Sequence, residues 1–120
     1  MFYKLIEEFS DIIVSYNVFE YKRYGSAVSL VAKVEFKNNS LLYVKDYLFL
    51  DGKRKYSYHW QDADGSLITR WDNSPHYREV ASFPHHKHLR NSVVESKERT
   101  FKDILKIIRD TIHNQFDIMS

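Results

Sequence analysis

The middle of the sequence alternates apolar and polar residues with a period of two, and this pattern restricts the possible folds most strongly. From Val28 to Phe36 every second residue is apolar, which is typical of a β-strand with one buried face. Comparable stretches follow at residues 41–50, 56–61 and 67–72, and short turn segments such as Asp51-Gly52 separate them. Turns this short leave no room for crossover helices, so the strands are expected to run antiparallel.

Two flanking segments have the period of an amphipathic helix instead. An apolar face predicts a first helix over about residues 2–10. Thr100 followed by Asp103 resembles a capping box, and the apolar stripe after it predicts a second helix over residues 101–115. The sequence therefore predicts one α+β domain over residues 1–120: an antiparallel meander of five or six strands with both helices on one face.

The regions beside these elements have weaker patterns. Residues 12–23 are rich in β-branched and aromatic side chains, which favours a strand. Residues 83–89 are expected to form a short strand or an extended edge, because Pro84 cannot donate a hydrogen bond to a ladder. Residues 91–98 are interpreted as a polar connector.

Composition excludes several classes of function. The chain has no cysteine, which excludes disulfides, thiolate metal sites and a cysteine nucleophile, and its three glycines cannot build a glycine-rich phosphate loop. No apolar run is long enough for a membrane span, and the acidic Glu7 and Glu8 argue against a targeting segment. We therefore expect no contact with a membrane, and the absence of cysteine suits a reducing cytosol as well as many other compartments. The net charge of +2 permits nucleic-acid binding but does not indicate it.

Histidines are concentrated in one third of the chain. Five of the six lie between His59 and His88, and histidine is the side chain that changes charge near neutral pH. On an extended chain His86 and His88 point to one face and His85 points to the other. Such a segment could be an exposed solvated loop, or it could transfer protons or contact phosphate.

A metal site is a third interpretation of the same histidines. His86 and His88 could share an ion if a third ligand came from Asp72, His59 or His76. Two histidines at this spacing are a weak signal, because no established metal motif occurs in the chain.

Two strands carry further candidate residues. Arg70 and Asp72 share one face of a strand, where arginine could hold a phosphate and aspartate could orient a histidine, although a plain surface ion pair is the alternative. The alternating aromatics that end at Trp60 could stack on bases, but core packing is favoured. In that case His59 and Gln61 face the same side as Arg70.

Three segments together resemble a known family. Residues 56–65, 70–76 and 82–88 contain Y-H-W-Q-D, R-W-D-N-S-P-H and F-P-H-H-K-H, and they are similar to the TumE family, small prokaryotic proteins regarded as toxins of two-gene toxin–antitoxin modules. The resemblance extends to the layout of nearly the whole chain. It implies a cytoplasmic prokaryotic protein, a cognate antitoxin encoded nearby and growth inhibition when the toxin is unopposed.

The leading hypothesis is a toxin that acts on RNA as a metal-independent ribonuclease without a cofactor. Histidines from the set His85, His86 and His88 would transfer protons, Arg70 would stabilise the developing charge, and Asp72 would orient a histidine. The predicted substrate contacts are His59, Trp60, Gln61, Trp71, His76 and Lys87.

The alternative hypothesis is a non-enzymatic module that binds nucleic acid or protein on the open sheet face. In that case the histidines would be recognition or structural groups. The sequence favours no particular oligomeric state.

Overall fold

A computed structural model describes the backbone of residues 1–119 and the side chains of residues 1–116. It contains two helices, α1 at Phe2–Glu8 and α2 at Phe101–Met119. Seven strands form one antiparallel sheet in which each strand pairs with its neighbours along the chain. The strands are β1 (Ile13–Tyr24), β2 (Ala27–Phe36), β3 (Leu41–Leu48), β4 (Arg54–Gln61), β5 (Leu67–Asp72), β6 (His86–His88) and β7 (Val93–Glu95).

The predicted α+β class and the antiparallel meander are confirmed, with one strand more than expected. The additional strand, β7, lies inside residues 91–98, where the sequence predicted a polar connector. With only three residues, β7 is too short to show an alternating pattern, and its pairing with β6 defines it. Strand β6 is consequently an inner strand. Pro84 precedes β6 and removes none of its ladder hydrogen bonds.

The helices differ from prediction only at their ends. Helix α1 ends at Glu8, slightly earlier than expected, and α2 continues to Met119 instead of ending at residue 115. Within the described residues no helix is both long and apolar enough to cross a membrane.

Two hairpin turns contain residues that tolerate the positive φ angles of their backbones. Gly52 joins β3 to β4 with a φ of 85°, a value that glycine adopts without steric penalty. Asn39 joins β2 to β3 with a φ of 69°, in the left-handed region that asparagine tolerates best among other residues. The side chain of Asn38 supports this turn, since its Oδ1 accepts a hydrogen bond from the Ser40 backbone N–H at 3.1 Å.

Both helices pack on one face of the sheet, as predicted, and enclose the core. The rings of Phe2 and Phe101 stack with centroids 5.5 Å apart, so the two helices contact each other as well as the sheet. About two turns further along α2, Arg109 donates hydrogen bonds to the Glu8 carbonyl at 2.8 Å and to Asp11 at 2.6 Å. The largest part of the core comes from alternate residues of four strands: Leu30, Ala32, Val34, Phe36, Leu42, Val44, Tyr56, Tyr58, Trp60 and Trp71.

A charged pair lies within this helix-bearing side of the sheet. Arg54 donates from Nε and Nη2 to the two carboxylate oxygens of Asp46, at 2.9 and 3.0 Å. Tyr58 donates its hydroxyl hydrogen to the same carboxylate, and Arg54 also contacts that hydroxyl. Burial and the neighbouring Asp46 charge raise the pKa of Tyr58, so the phenol stays neutral and remains a donor.

The capping box of α2 leads to a stability prediction. The Thr100 Oγ1 accepts from the Asp103 N–H at 3.2 Å, and Asp103 accepts from the Thr100 N–H at 2.9 Å. We expect Thr100→Ala to lower the free energy of unfolding by about 1 kcal/mol, because a first-turn N–H loses its acceptor. Urea denaturation followed by circular dichroism measures this change.

Thr111→Ala is the matched control, since Thr111 lies inside α2 and only bonds back to the Ile107 carbonyl. Alanine has the higher helix propensity at such a position, so the control should be neutral or slightly stabilising. Equal losses in the two variants would contradict the capping role.

Candidate functional site

The face of the sheet opposite the helices carries two rows of polar side chains. In the first row His59 of β4 pairs with Arg70 of β5, which pairs with His88 of β6. In the second row Ser57 pairs with Asp72, and Asp72 pairs with His86. Residues directly opposite each other in an antiparallel sheet point to the same side, so each row is a line of neighbouring side chains. The outer face therefore brings together three of the segments that the sequence singled out.

Asp72 lies at the centre of this cluster and is 5% exposed. Its Oδ1 accepts hydrogen bonds from the backbone N–H and the Oγ of Ser74, at 3.1 and 2.9 Å, and its Oδ2 accepts from Arg70 Nε at 3.1 Å. Burial alone would raise the pKa of Asp72, but the hydrogen bonds from Ser74 and Arg70 and the charge of His86 outweigh it and lower the pKa. Asp72 is consequently a carboxylate at neutral pH.

Two imidazoles converge on this carboxylate. His86 Nε2 lies 2.9 Å from Asp72 Oδ1, and His88 Nε2 lies 3.3 Å from Oδ2. The two Nε2 atoms are 3.1 Å apart. On the other edge of its ring, His86 Nδ1 lies 2.9 Å from the carbonyl oxygen of Pro84. A carbonyl can only accept, so Nδ1 carries the hydrogen of this bond.

Tyr77 covers these two histidines from the segment that joins β5 to β6. Its ring centroid is 4.8 Å from that of His86 and 5.3 Å from that of His88. As a result the side chain of His86 is only 1% exposed, whereas that of His88 keeps 22%. His86 is therefore buried within the cluster, and His88 is the more accessible of the two imidazoles.

His59 lies at the other end of the first row and is half-buried. Among the described residues its Nδ1 has no hydrogen-bond partner. Burial and the positive charge of Arg70 lower the pKa of His59, and the side chain of Gln61 works weakly in the opposite direction. Burial also lowers the pKa of His88, followed by the charges of His86 and Arg70, and Asp72 opposes them. Both imidazoles are therefore neutral at pH 7 without a ligand.

His85 is separated from the other histidines by the sheet itself. It lies on the helix-bearing side, where its Nδ1 is 2.9 Å from the Tyr56 hydroxyl and its ring stacks on the Tyr56 ring. Its Nε2 is 3.6 Å from a carboxylate oxygen of Glu98. The strand alternation had placed His85 opposite its two neighbours, and the structure agrees.

The remaining candidate residues occupy three different environments. Trp60 and Trp71 are each 3% exposed in the core, where the Trp60 indole donates to Ser40 Oγ at 3.0 Å. Lys87 pairs with Trp71 and points to the helix-bearing side. His76 is exposed in the segment after β5. The structure therefore does not bring these four side chains into the outer-face cluster.

Two residues of the cluster were absent from the sequence interpretation. Ser74 could have been found, because an aspartate whose side chain caps the backbone two residues later is a common turn arrangement. Tyr77 gave no signal, since it lies in an irregular segment whose path depends on tertiary packing.

The cluster combines three kinds of chemistry in one place. Two imidazoles can transfer protons, the guanidinium of Arg70 can bind an anion, and the Asp72 carboxylate can orient a histidine. Asp72, His86 and His88 also offer ligand atoms within 4.8 Å of one another, an arrangement that could hold a metal ion.

Comparisons with known proteins agree with this layout at the level of the family. No curated protein and no solved structure matches the chain. A family model described as Toxin TumE matches residues 2–115, which include every residue of the outer-face cluster. The chain therefore belongs to the TumE toxin family.

Proposed function

We propose that this protein is the toxin of a two-gene module and cleaves RNA with the outer-face row of His59, Arg70 and His88. The observation that carries the proposal is the register of three neighbouring strands, which lines up two imidazoles with a guanidinium between them. The spacing between adjacent strands is about 4.8 Å, so the backbones of the two histidines are about 10 Å apart. A phosphodiester fits between such groups.

RNA can be cleaved by its own 2′-hydroxyl group without a metal ion. A base takes the hydroxyl proton, the oxygen attacks phosphorus, and an acid gives a proton to the departing 5′ oxygen. The products are a 2′,3′-cyclic phosphate and a free 5′-hydroxyl. Negative charge grows on the phosphoryl oxygens in the transition state, and a guanidinium beside them stabilises it.

We assign the base to His88. Its Nε2–H can donate to Asp72 at 3.3 Å, which leaves Nδ1 as the acceptor of the 2′-hydroxyl proton. His86 is a positioning residue that contacts both groups from its buried place. Asp72 is fixed in turn by Ser74.

We assign the acid to His59 and the phosphate contact to Arg70. The anionic phosphate raises the pKa of a neighbouring imidazole, so His59 gains a proton when RNA binds. Arg70 keeps 41% of its side chain exposed while its Nε is bound to Asp72, and its other N–H groups can face the substrate. His85 has no part in this scheme because it lies on the other side of the sheet.

Membership of a toxin family implies a partner antitoxin. We propose that the protein acts on RNA in the prokaryotic cytoplasm and that the antitoxin encoded beside it suppresses this activity. Residues that contact substrate should then be required for growth arrest when the toxin is expressed alone.

His88→Ala tests the proposed base. We expect purified wild-type protein to cleave total RNA and His88→Ala to cleave it about 10²–10⁴-fold more slowly, the usual range for loss of a general base. Rates are measured from the appearance of cyclic-phosphate ends, and growth arrest by the induced gene is scored in parallel. His85→Ala is the matched control from the other face and should cleave at close to the wild-type rate.

Two results would overturn this proposal. Equal cleavage by His88→Ala and wild type would remove His88 from the chemistry. Retention of RNA without any cleavage by the wild-type protein would favour a module that binds nucleic acid only.

Arg70→Ala tests the stabilising charge. We expect a loss of about 10²–10³-fold in the cleavage rate, comparable to the loss of a transition-state donor elsewhere. The thermal midpoint should also fall, because the buried Asp72 carboxylate loses one hydrogen bond, although it keeps those from Ser74. Arg70→Lys should recover part of the rate, since it restores charge without the planar donor fork.

Arg78→Ala is the control, since Arg78 is an exposed arginine in the segment that carries Tyr77. A similar rate loss in the two alanine variants would mean that general positive charge is needed instead of the specific position of Arg70.

A further inference from the structure

We infer that Asp72, His86 and His88 form a binding site for one divalent transition-metal ion of the zinc class, and that this ion switches the site off. The inference rests on the carboxylate of Asp72 and the Nε2 atoms of both histidines. His86 Nε2 lies 2.9 Å from Asp72 Oδ1, His88 Nε2 lies 3.3 Å from Asp72 Oδ2, and the two Nε2 atoms are 3.1 Å apart.

These separations match those of ligands around a metal ion. Zinc lies about 2.0–2.1 Å from nitrogen or oxygen ligands, so two tetrahedral ligands are about 3.3 Å apart. An octahedral arrangement with the same bond lengths brings them to about 3.0 Å. The two Nε2 atoms and the Asp72 carboxylate, through one or both of its oxygens, therefore require only small shifts to share an ion.

The count of hydrogen atoms supports the same conclusion. His86 Nδ1 already donates its hydrogen to the Pro84 carbonyl, so Nε2 can face Asp72 Oδ1 at 2.9 Å either through the second hydrogen of an imidazolium ring or through a bound metal ion. His88 has one Nε2 hydrogen, which it can donate either to His86 Nε2 or to Asp72. That hydrogen cannot lie between His86 and Asp72. A divalent ion placed among the three ligands would take the place of the second hydrogen on His86 and accept a lone pair from each ligand.

The surroundings have the support that metal ligands usually receive. A histidine ligand commonly donates its second ring N–H to a backbone carbonyl, as His86 does to Pro84. The carboxylate ligand is itself oriented by two hydrogen bonds from Ser74. Tyr77 covers the imidazoles and reduces the access of water to them.

The donor set indicates the kind of ion. Two imidazole nitrogens and one carboxylate oxygen suit zinc and its first-row neighbours, whereas magnesium and calcium prefer oxygen ligands throughout. Three protein ligands leave at least one coordination position for water.

The consequence for activity rests on the proposed function. A metal ion bound at His88 Nε2 displaces the hydrogen from that atom, so a neutral ring must carry it on Nδ1. Nδ1 then has no lone pair for the 2′-hydroxyl proton. The ion would hold the base in its inactive tautomer while leaving the fold intact.

A binding titration tests the site without any reference to cleavage. Tag-free protein is first dialysed against a chelator, and Zn²⁺ is then added in competition with a chromophoric chelator. We expect one ion per chain for the wild type and at least about tenfold weaker binding for both His88→Ala and His86→Ala, since even supporting residues of metal sites contribute 10–100-fold. Circular dichroism establishes that each variant is folded. His88 is more exposed than His86, so the His88→Ala variant decides the test if His86→Ala unfolds.

Two single-histidine variants serve as controls. His85→Ala removes a histidine from the opposite face, and His113→Ala removes the ring that lies 3.3 Å from Asp11 on the surface. Both should bind Zn²⁺ as the wild type does. Absence of binding to the wild type, or unchanged binding in His88→Ala, would overturn the site.

Cleavage assays then test the switch. Metal-free wild-type protein should cleave RNA, and one equivalent of Zn²⁺ should slow it at least about tenfold, the scale of an effect on a general base. Faster cleavage with the ion would overturn the inhibitory role. Absence of cleavage in both conditions would contradict the proposed function, whereas the titration would still decide the metal site.

Discussion

The Asp72 carboxylate is the group on which the outer-face cluster depends. It receives hydrogen bonds from Ser74 and Arg70 and lies against both His86 and His88, although it is almost fully buried. An unpaired carboxylate at this position would be expensive to bury, so its partners and its charge stabilise each other. The same contacts orient the imidazoles. Stability and chemistry at this site are therefore properties of one hydrogen-bonded unit.

Much of the fold follows from local patterns in the sequence. The alternation in β2 and the short turn at Gly52 are enough to predict an antiparallel meander, because both features depend on neighbouring residues alone. The capping box at Thr100 predicts the start of α2 for the same reason. Strand β7 was missed because three residues contain no period and their pairing partner is a tertiary feature.

The sequence predicted the position of a site residue only where the alternation of side chains along a strand, here called strand parity, decides which face of the sheet it lies on. Parity separates His85 from His86 and His88, and it places Arg70 and Asp72 on one face. Burial was not predictable, because it is Tyr77 that makes His86 inaccessible and leaves His88 reachable.

Arg54 shows the same limit on the other side of the sheet. Arg54 lies between Lys53 and Lys55, and such a run of basic residues is typical of a solvated turn. Its side chain is nevertheless held on the helix-bearing side by Asp46. Charge alone does not reveal such a partner, because the pairing is formed across two strands.

The connectivity of the sheet also has a consequence for synthesis of the chain. Each strand after β1 pairs with the strand before it, and every connection is short except the 13 residues between β5 and β6, so the strands can pair in the order in which they are made. The outer-face residues of β4, β5 and β6 can meet in this way before α2 exists. The apolar inner face, however, remains exposed to water until α2 has been made and packs on it. A chain whose synthesis has not reached α2 would therefore expose apolar surface on the inner face of the sheet while the outer-face cluster is already formed.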